Sequence, residues 1–355
     1  MLRAAFALPF ALLLAAIPGR NALLTTSQNG LISARVSQMA LGGTGNMQGL
    51  ADFYPLGGVL LVRMLPGGVL GLSILGVVAA GFFLLYLFQT FKAKNWDTSV
   101  VILLLITIGS APVFAELVVG NLLGFLSLVT FGFGMIDMYR FVTQRHTDAG
   151  FRAGTWFLVC ALMDTSGILL VAIAALTAPF LRVARRDESG ARATNFAILF
   201  YPVLAVFISI AILSAIFLRN PFALFAASFI YDPMRWSVVS GLLTTLHGWI
   251  VILIVIAGTI GALLSGRRLT AFLPPLIMVA LLLGEVLGVV PTNDIGYFVL
   301  AISMVLIAVW HRVPSQRNQA ALIVVFGSLL ALSWAATLFL TPTGSVVSGL
   351  LGGIY

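Results

Sequence analysis

The sequence predicts an all-α polytopic membrane protein with about 10–11 transmembrane helices, some short or broken, and an interfacial helix in the first outer loop. Of its 355 residues, 61% are hydrophobic and 8% are charged, whereas a soluble domain carries about 25% charged residues. The mean hydropathy is +1.12. The apolar runs are continuous and do not alternate as the ~10-residue strands of a membrane β-barrel do, which excludes that class.

The net charge of +8 has two interpretations. Clustered basic residues bind nucleic acid, but here they are scattered over short loops, so we interpret them as topology signals and predict no nucleic-acid partner. The single cysteine, Cys160, excludes an intramolecular disulfide, and His146, His247 and His311 lack metal-ligand spacing. We therefore predict no cofactor, with a divalent metal left open.

The spans follow the apolar runs and the positive-inside rule, with the N-terminus in the cytoplasm. Of the 19 Lys and Arg residues, this topology leaves only five outside: Arg20, Arg35, Arg63, Arg219 and Arg235. The predicted spans are 3–19, 68–91, 98–111, 119–139, 153–164, 167–181, 195–217, 236–264, 270–289, 295–310 and 320–340.

The longest stretch that cannot lie inside a bilayer is the outer loop, residues 20–67. It follows a first apolar segment that resembles a signal peptide and that we interpret as a retained span. Within the loop, Leu31–Leu41 has apolar residues at helical spacing, which predicts a helix lying in the membrane interface. Pro55–Pro66 predicts a second short helix that leads into the span at 68.

Two places resist simple spans. The segment Arg152–Arg182 has basic residues at both ends, so the chain must enter and return, and the polar break Asp164–Gly167 predicts two shortened helices. The turn Gly109–Pro112, followed by Glu116 and Asn121, likewise predicts a break between shortened helices. Broken helices are tolerated at membrane depth only where protein or a cavity shields them, so we predict a water-filled recess in the outer half.

The charged run Arg182–Thr194 predicts a cytoplasmic linker between two modules. The first comprises residues 1–185 with the outer loop, and the second comprises residues 195–355 with five later spans. We expect the outer loop Arg219–Arg235 of the second module to border the recess.

Acidic residues near hydrocarbon are costly and are mostly functional. Six of them lie outside or in the outer half in the predicted topology: Asp52, Glu116, Asp164, Asp232, Glu285 and Asp294. Each has a structural alternative, since Glu116 and Asp164 could cap helices and Glu285 could pair with an outer arginine.

The order of these features resembles a known family. An amphipathic helix follows the first span, then Asp52-Phe-Tyr54-Pro55 opens a short helix, and a later outer turn ends in Gly120-Asn121-Leu-Leu. A basic loop, Arg140–Arg152, and a broken helix pair come next. Over about residues 20–185 this order is similar to the N-terminal half of the GT-C membrane glycosyltransferases, especially their bacterial mannosyltransferase-like members.

The resemblance implies transfer of a sugar from a polyprenyl-phosphate donor to an acceptor on the outer side of a bacterial inner membrane. A carboxylate would act as general base and cationic groups would stabilise the departing phosphate. The family's key acid follows the first span, where this chain has Gln28-Asn29-Gly30. The resemblance therefore implies either that Asp52 or Glu116 is the general base or that catalysis is lost. Arg35 and Arg63 are the candidates for the phosphate, or else interfacial residues whose charged ends reach water.

We predict that Asp52, Glu116, Arg35 and Arg63 converge on one recess, with Tyr54, Asn121 and Asp164 as further substrate-binding residues. The expected partners are a lipid-linked sugar donor, membrane lipids and other proteins of a membrane complex. Two alternatives stay open: a catalytically inactive scaffold or accessory subunit of the same fold, and a transporter or lipid flippase.

Overall fold

The computed structural model describes residues 2–16, 24–39, 53–144, 146–178, 191–226, 229, 231–265, 268–291, 294–310 and 316–340. Within these ranges the chain is helical and has no strand. Five helices are long and apolar enough to cross a membrane, and a bent pair adds a sixth candidate span. The predicted class, an all-α polytopic membrane protein, is confirmed.

Sixteen α-helices are defined within the described residues, in chain order. They are α1 (Leu2–Ala16), α2 (Gln28–Gln38), α3 (Leu56–Met64), α4 (Gly68–Ala93), α5 (Thr98–Gly109), α6 (Pro112–Gly120), α7 (Leu122–Gln144), α8 (Thr147–Met163), α9 (Gly167–Thr177), α10 (Ala191–Leu218), α11 (Ala223–Ala226), α12 (Trp236–Ser240), α13 (Leu246–Leu264), α14 (Leu273–Val286), α15 (Ile295–Val309) and α16 (Gln316–Leu340). Short 3-10 helices cover Pro233–Arg235, Gly241–Leu243 and Arg268–Phe272.

The helices share one apolar core that draws on both the front and the rear of the chain. Every residue of α15 is buried, and α7 is buried along most of its apolar length. By contrast, only 17% of the apolar window of α10 is buried, so that helix presents its side chains outward, as a lipid-facing helix does. Since α15 is enclosed by protein, its 15 residues need not match the full thickness of a bilayer.

Both predicted breaks are present. Helices α5 and α6 meet at Ser110–Ala111 with a bend of 62°, and Pro112 opens the second helix, where its missing N–H costs nothing. Helices α8 and α9 are separated by Asp164–Ser166. Gly167 is required at this turn, since a Cβ there would lie 2.0 Å from the carbonyl oxygen of Cys160.

The two helices predicted in the outer loop also form, as α2 and α3. Helix α2 begins three residues before the predicted start because the Ser27 side chain caps it, accepting from the Gly30 N–H at 3.3 Å. Residues 40–52 of this loop, including Asp52, lie outside the described residues.

Two predicted spans were wrong at their starts. The span predicted from 119 is interrupted at Asn121, whose non-helical backbone separates α6 from α7. The span predicted from 236 begins only at Leu246, because Thr245 adopts an extended conformation and its hydroxyl caps α13 by accepting from the Gly248 N–H. Short helices precede it from Pro233 onward.

The chain runs back and forth between two ends of the molecule. We call the end that carries α2, α3, Asn121 and the Asp164–Ser166 turn the loop end, and the end that carries Lys94, Arg140 and Arg152 the opposite end.

A candidate site at the loop end

A polar cavity of about 270 Å³ opens at the loop end. Helices α2, α8, α14 and α15 reach it through their ends or the turns beside them, so residues far apart in sequence share one space. Its lining consists of Gln28, Asn121, Asp164, Thr165, Arg235, Gly288, Val289, Val290, Pro291 and Tyr297. The volume is near the lower end of the range of ligand pockets, about 300–1,000 Å³.

Asp164 is the carboxylate of this cavity. Its Oδ2 accepts from the Ser166 N–H at 3.2 Å, from the Ser166 hydroxyl and from the Tyr297 hydroxyl at 3.2 Å. Burial raises the pKa of Asp164 above its ordinary value, and these donors oppose the rise because they stabilise the charged form. The carboxylate therefore combines partial desolvation with a fixed orientation.

Tyr297 and Asn121 lie behind this carboxylate. Tyr297 is in the first turn of α15 and is 1% exposed. The Asn121 side chain spans the break between α6 and α7: its Oδ1 accepts from the Gly124 N–H at 3.1 Å, and its Nδ2 donates to the Tyr297 hydroxyl at 3.3 Å. The break in the helix thus supplies an amide that reaches another element.

Helix α2 is fastened to the same break through Asn29. The buried Asn29 amide donates to the Val119 carbonyl at 2.9 Å and accepts from the Leu122 N–H at 2.8 Å. These two backbone groups lie on either side of the interruption in the helix, where their usual helical partners are missing. Asn29 therefore has a structural role, while its neighbour Gln28 lines the cavity.

Arg235 supplies the positive charge of the lining. It ends the 3-10 helix Pro233–Arg235, which Asp232 caps by accepting from the Met234 N–H at 2.9 Å. On another wall, the Thr165 hydroxyl donates to the Val289 carbonyl at 3.0 Å and ties the Asp164 turn to the chain after α14. Arg235 belongs to the loop that the sequence predicted to border the recess.

Among the seven predicted site residues, Asn121 and Asp164 line the cavity. Arg35 donates to the Tyr54 carbonyl at 3.4 Å, and the buried Tyr54 donates through its hydroxyl to the Ala161 carbonyl at 2.6 Å. Tyr54 thus supports the helix end that carries Asp164. Arg63 is exposed on α3.

Glu116 lies half-buried on α6 and is not among the residues that line the cavity. Its carboxylate affects the pKa of Asp294. Burial raises the pKa of Asp294, the N-cap residue of α15, to about 7, and the carboxylates of Glu116 and Asp164 add to the rise. Backbone N–H groups at the start of α15 oppose it. Glu116 and Asp164 thus both act on Asp294 at the loop end, and of these three residues Asp164 is the one that lines the cavity.

Sequence reasoning missed Gln28, Thr165, Arg235 and Tyr297 as lining residues. Tyr297 stands in a continuous apolar run, and nothing local distinguishes it from a core residue. Gln28 was noted only as a departure from the family's acid. Across the described residues, no three His, Cys, Asp or Glu side chains come together as metal ligands would.

The helical fold and this recess define a polytopic membrane protein with a polar, carboxylate-bearing cavity at one end of its helices. Comparison with protein-family models, with curated proteins and with solved structures finds no match.

Proposed function

We propose that the cavity is the active site of a membrane glycosyltransferase that uses a polyprenyl-phosphate sugar on the outer face of a bacterial inner membrane. The observation that carries the proposal is the presence of one carboxylate, Asp164, and one guanidinium, Arg235, in the lining of the same polar cavity. The mostly exposed apolar helix α10 is suited to contact lipid, so a lipid-linked donor would keep its tail in the membrane while its headgroup enters the cavity.

Asp164 has the properties of a general base. Burial moves its pKa upward from that of an exposed carboxyl, toward the range in which a base works at neutral pH. In the proposed reaction the acceptor hydroxyl gives its proton to Asp164 as its oxygen bonds to the anomeric carbon. The bond between that carbon and the phosphate oxygen breaks, and its electron pair leaves with the phosphate.

Arg235 would stabilise the leaving phosphate. A guanidinium offers several N–H donors in a plane and matches phosphate oxygens. In this proposal Arg235 takes the phosphate role that the sequence assigned to Arg35 and Arg63, and Asp164 takes the base role assigned to Asp52 or Glu116. The roles first assigned to those four residues stay predictions.

The proposal also accounts for the departure at the position of the family's acid. Gln28 lines the cavity, so this chain has an amide where the resemblance implies a carboxylate, and Asp164 places a carboxylate in the same space from another element. An acid in place of Asn29 could still accept from the Leu122 N–H, but it would lose the hydrogen bond that Asn29 donates to the Val119 carbonyl.

The substitution Asp164→Asn tests the assignment of the base. We expect the rate of sugar transfer to fall by about 10²–10⁴, the usual contribution of a general base. The assay uses purified protein in proteoliposomes, radiolabelled polyprenyl-phosphate mannose, glucose or arabinose as donor, and solubilised bacterial membranes as the source of acceptor. Transfer by the unsubstituted protein that persists at full rate in Asp164→Asn would remove Asp164 as the base.

A binding measurement tests the proposed phosphate site and requires no sugar transfer. Undecaprenyl phosphate binding, measured by native mass spectrometry, should weaken about tenfold or more in Arg235→Gln, since a hydrogen bond to a charged group contributes about 1.5–3 kcal/mol. Arg63→Gln is the comparison, because Arg63 is an exposed arginine at the same end. A larger loss in Arg63→Gln than in Arg235→Gln would contradict the role given to Arg235.

A catalytically inactive scaffold is the second candidate, and the Gln28-Asn29 pair favours it. If no donor supports transfer by the unsubstituted protein, while the protein still co-purifies with a membrane assembly whose activity is unchanged by Asp164→Asn, the scaffold function replaces the enzyme.

A further inference from the structure

The hydrogen bonds that reach Asp164 from Ser166 and Tyr297 all end on one oxygen. Oδ2 accepts from the Ser166 backbone, the Ser166 hydroxyl and the Tyr297 hydroxyl. A ligand in the cavity can therefore bind the other oxygen, Oδ1, without displacing these donors. The Ser166 contacts are local to the turn, whereas Tyr297 comes from α15, 133 positions away in the sequence.

The direction of the Tyr297 proton follows from its second neighbour. The Asn121 Oδ1 accepts a backbone N–H, that of Gly124, and this contact fixes the orientation of the amide. The Asn121 Nδ2, which can only donate, then faces the Tyr297 hydroxyl. A phenol has one proton, and with a donor on one side it points that proton to Asp164.

The space for this hydroxyl is built into α7. A Cβ at Gly124 would lie 1.9 Å from the Tyr297 hydroxyl oxygen and 2.8 Å from the Asn121 Nδ2. The chain therefore keeps a glycine where a side chain would push the phenol away from the carboxylate. This close approach shows that the position of Tyr297 depends on Gly124 of α7 and on Asn121 in the break before that helix.

We propose that Tyr297 is the positioning residue of the cavity: it directs its only proton onto Oδ2 of Asp164, holds the carboxylate in its charged form against burial, and leaves Oδ1 for the ligand. The inference rests on the proposed function for its catalytic meaning, because a general base must be ionised and oriented before it can accept a proton.

Other groups also face Asp164 and set the background for its ionisation. The charge of Asp164 contributes to the raised pKa of Asp294, and Tyr54 and Cys160 also lie close enough to feel that charge. Arg235 is the cationic residue in the lining of the same cavity. Tyr297, by contrast, comes from another element and donates a hydrogen bond to the carboxylate directly.

The test is a titration of Asp164 in the full-length protein in detergent micelles. Dicyclohexylcarbodiimide adds to protonated carboxyl groups in apolar surroundings, and mass spectrometry of the peptide containing Asp164 gives the labelled fraction at each pH. Removing a donor from the charged form raises the pKa, so labelling of Tyr297→Phe should persist to higher pH. We expect the midpoint to move upward by about one pH unit or more.

Tyr54→Phe is the matched control. It removes a phenol hydroxyl that bonds to the Ala161 carbonyl, at the end of the helix leading to Asp164, without touching the carboxylate. The midpoint should stay within a few tenths of a pH unit in Tyr54→Phe and should move in Tyr297→Phe. Equal midpoints in the unsubstituted protein and a folded Tyr297→Phe, or equal shifts in both variants, would overturn the proposal.

The titration separates this inference from the proposed function, because it requires no substrate. If the labelling midpoint of Asp164 moves upward in Tyr297→Phe but the unsubstituted protein transfers no sugar, the positioning role is supported and the proposed glycosyltransferase function is rejected. If the unsubstituted protein transfers sugar but the midpoint in Tyr297→Phe is unchanged, the glycosyltransferase function is supported and the positioning role of Tyr297 is rejected.

Discussion

Two aspartates in this protein are held in opposite ways. Asp137, on α7 at the opposite end, is 2% exposed, and its carboxylate accepts from Arg140 at 3.3 Å and from Arg152 at 3.2 and 3.4 Å. Asp164, at the loop end, is held by a backbone N–H and two hydroxyl groups, all neutral.

The difference indicates which aspartate is available for chemistry. Arg140 and Arg152 neutralise Asp137, and the Arg152 pair links α7 to α8, so the charge of Asp137 is used within the fold. The groups that donate hydrogen bonds to Asp164 are neutral, so they orient the carboxylate without neutralising its charge. Asp164 also lines a cavity. A buried carboxylate next to cations is structural here, and one held by hydroxyl groups beside a cavity is the candidate for function.

The largest expected effect on stability is at Asp137. Asp137→Asn replaces one acceptor oxygen by an amide that faces the arginine donors, and should lower the free energy of unfolding by about 1.5–3 kcal/mol. Asp164→Asn should cost only about 1 kcal/mol, because an amide oxygen can still accept from neutral donors. SDS titration of the protein in mixed micelles measures both values. A greater loss in Asp164→Asn than in Asp137→Asn would break the comparison.

A smaller effect is expected at Gly124. Gly124→Ala forces a methyl group against the Tyr297 hydroxyl, and should cost about 1–2 kcal/mol, in the lower part of the range for overpacking. It should also raise the carbodiimide midpoint of Asp164, as Tyr297→Phe does. Gly327→Ala is the control: a Cβ there meets nothing within 4 Å, so a better helix former should leave stability unchanged or raise it. An unchanged midpoint in Gly124→Ala would contradict the link between packing and ionisation.

The smallest effect is expected at Arg152. Its side chain is 55% exposed, and Arg140 remains to pair with Asp137 when it is removed. Arg152→Ala should therefore cost about 0.5 kcal/mol, as partly exposed ion pairs do, measured by the same SDS titration. A loss as large as that of Asp137→Asn would show that Arg152 alone neutralises the buried carboxylate.

Local features of the sequence predicted much of the fold. The polar run Asp164–Gly167 and the turn Gly109–Pro112 predicted two breaks, and both are present. The apolar spacing in the outer loop predicted α2. Asn121, by contrast, interrupts a span that was predicted to be continuous, because Asn29 from another helix supplies partners for the backbone groups on either side of it.

The composition and the apolar runs by themselves determined the class of this protein, since a chain with so few charged residues must place most of its surface in lipid. The tertiary structure decided which polar residues meet. Gln28, Arg235 and Tyr297 belong to separate elements, and α15 is buried on every side, so no amphipathic pattern marks the face on which Tyr297 lies. Only the packing of the helices brings that hydroxyl to Asp164, because a hydrogen bond between distant elements depends on their relative positions and leaves no periodic signal in the chain.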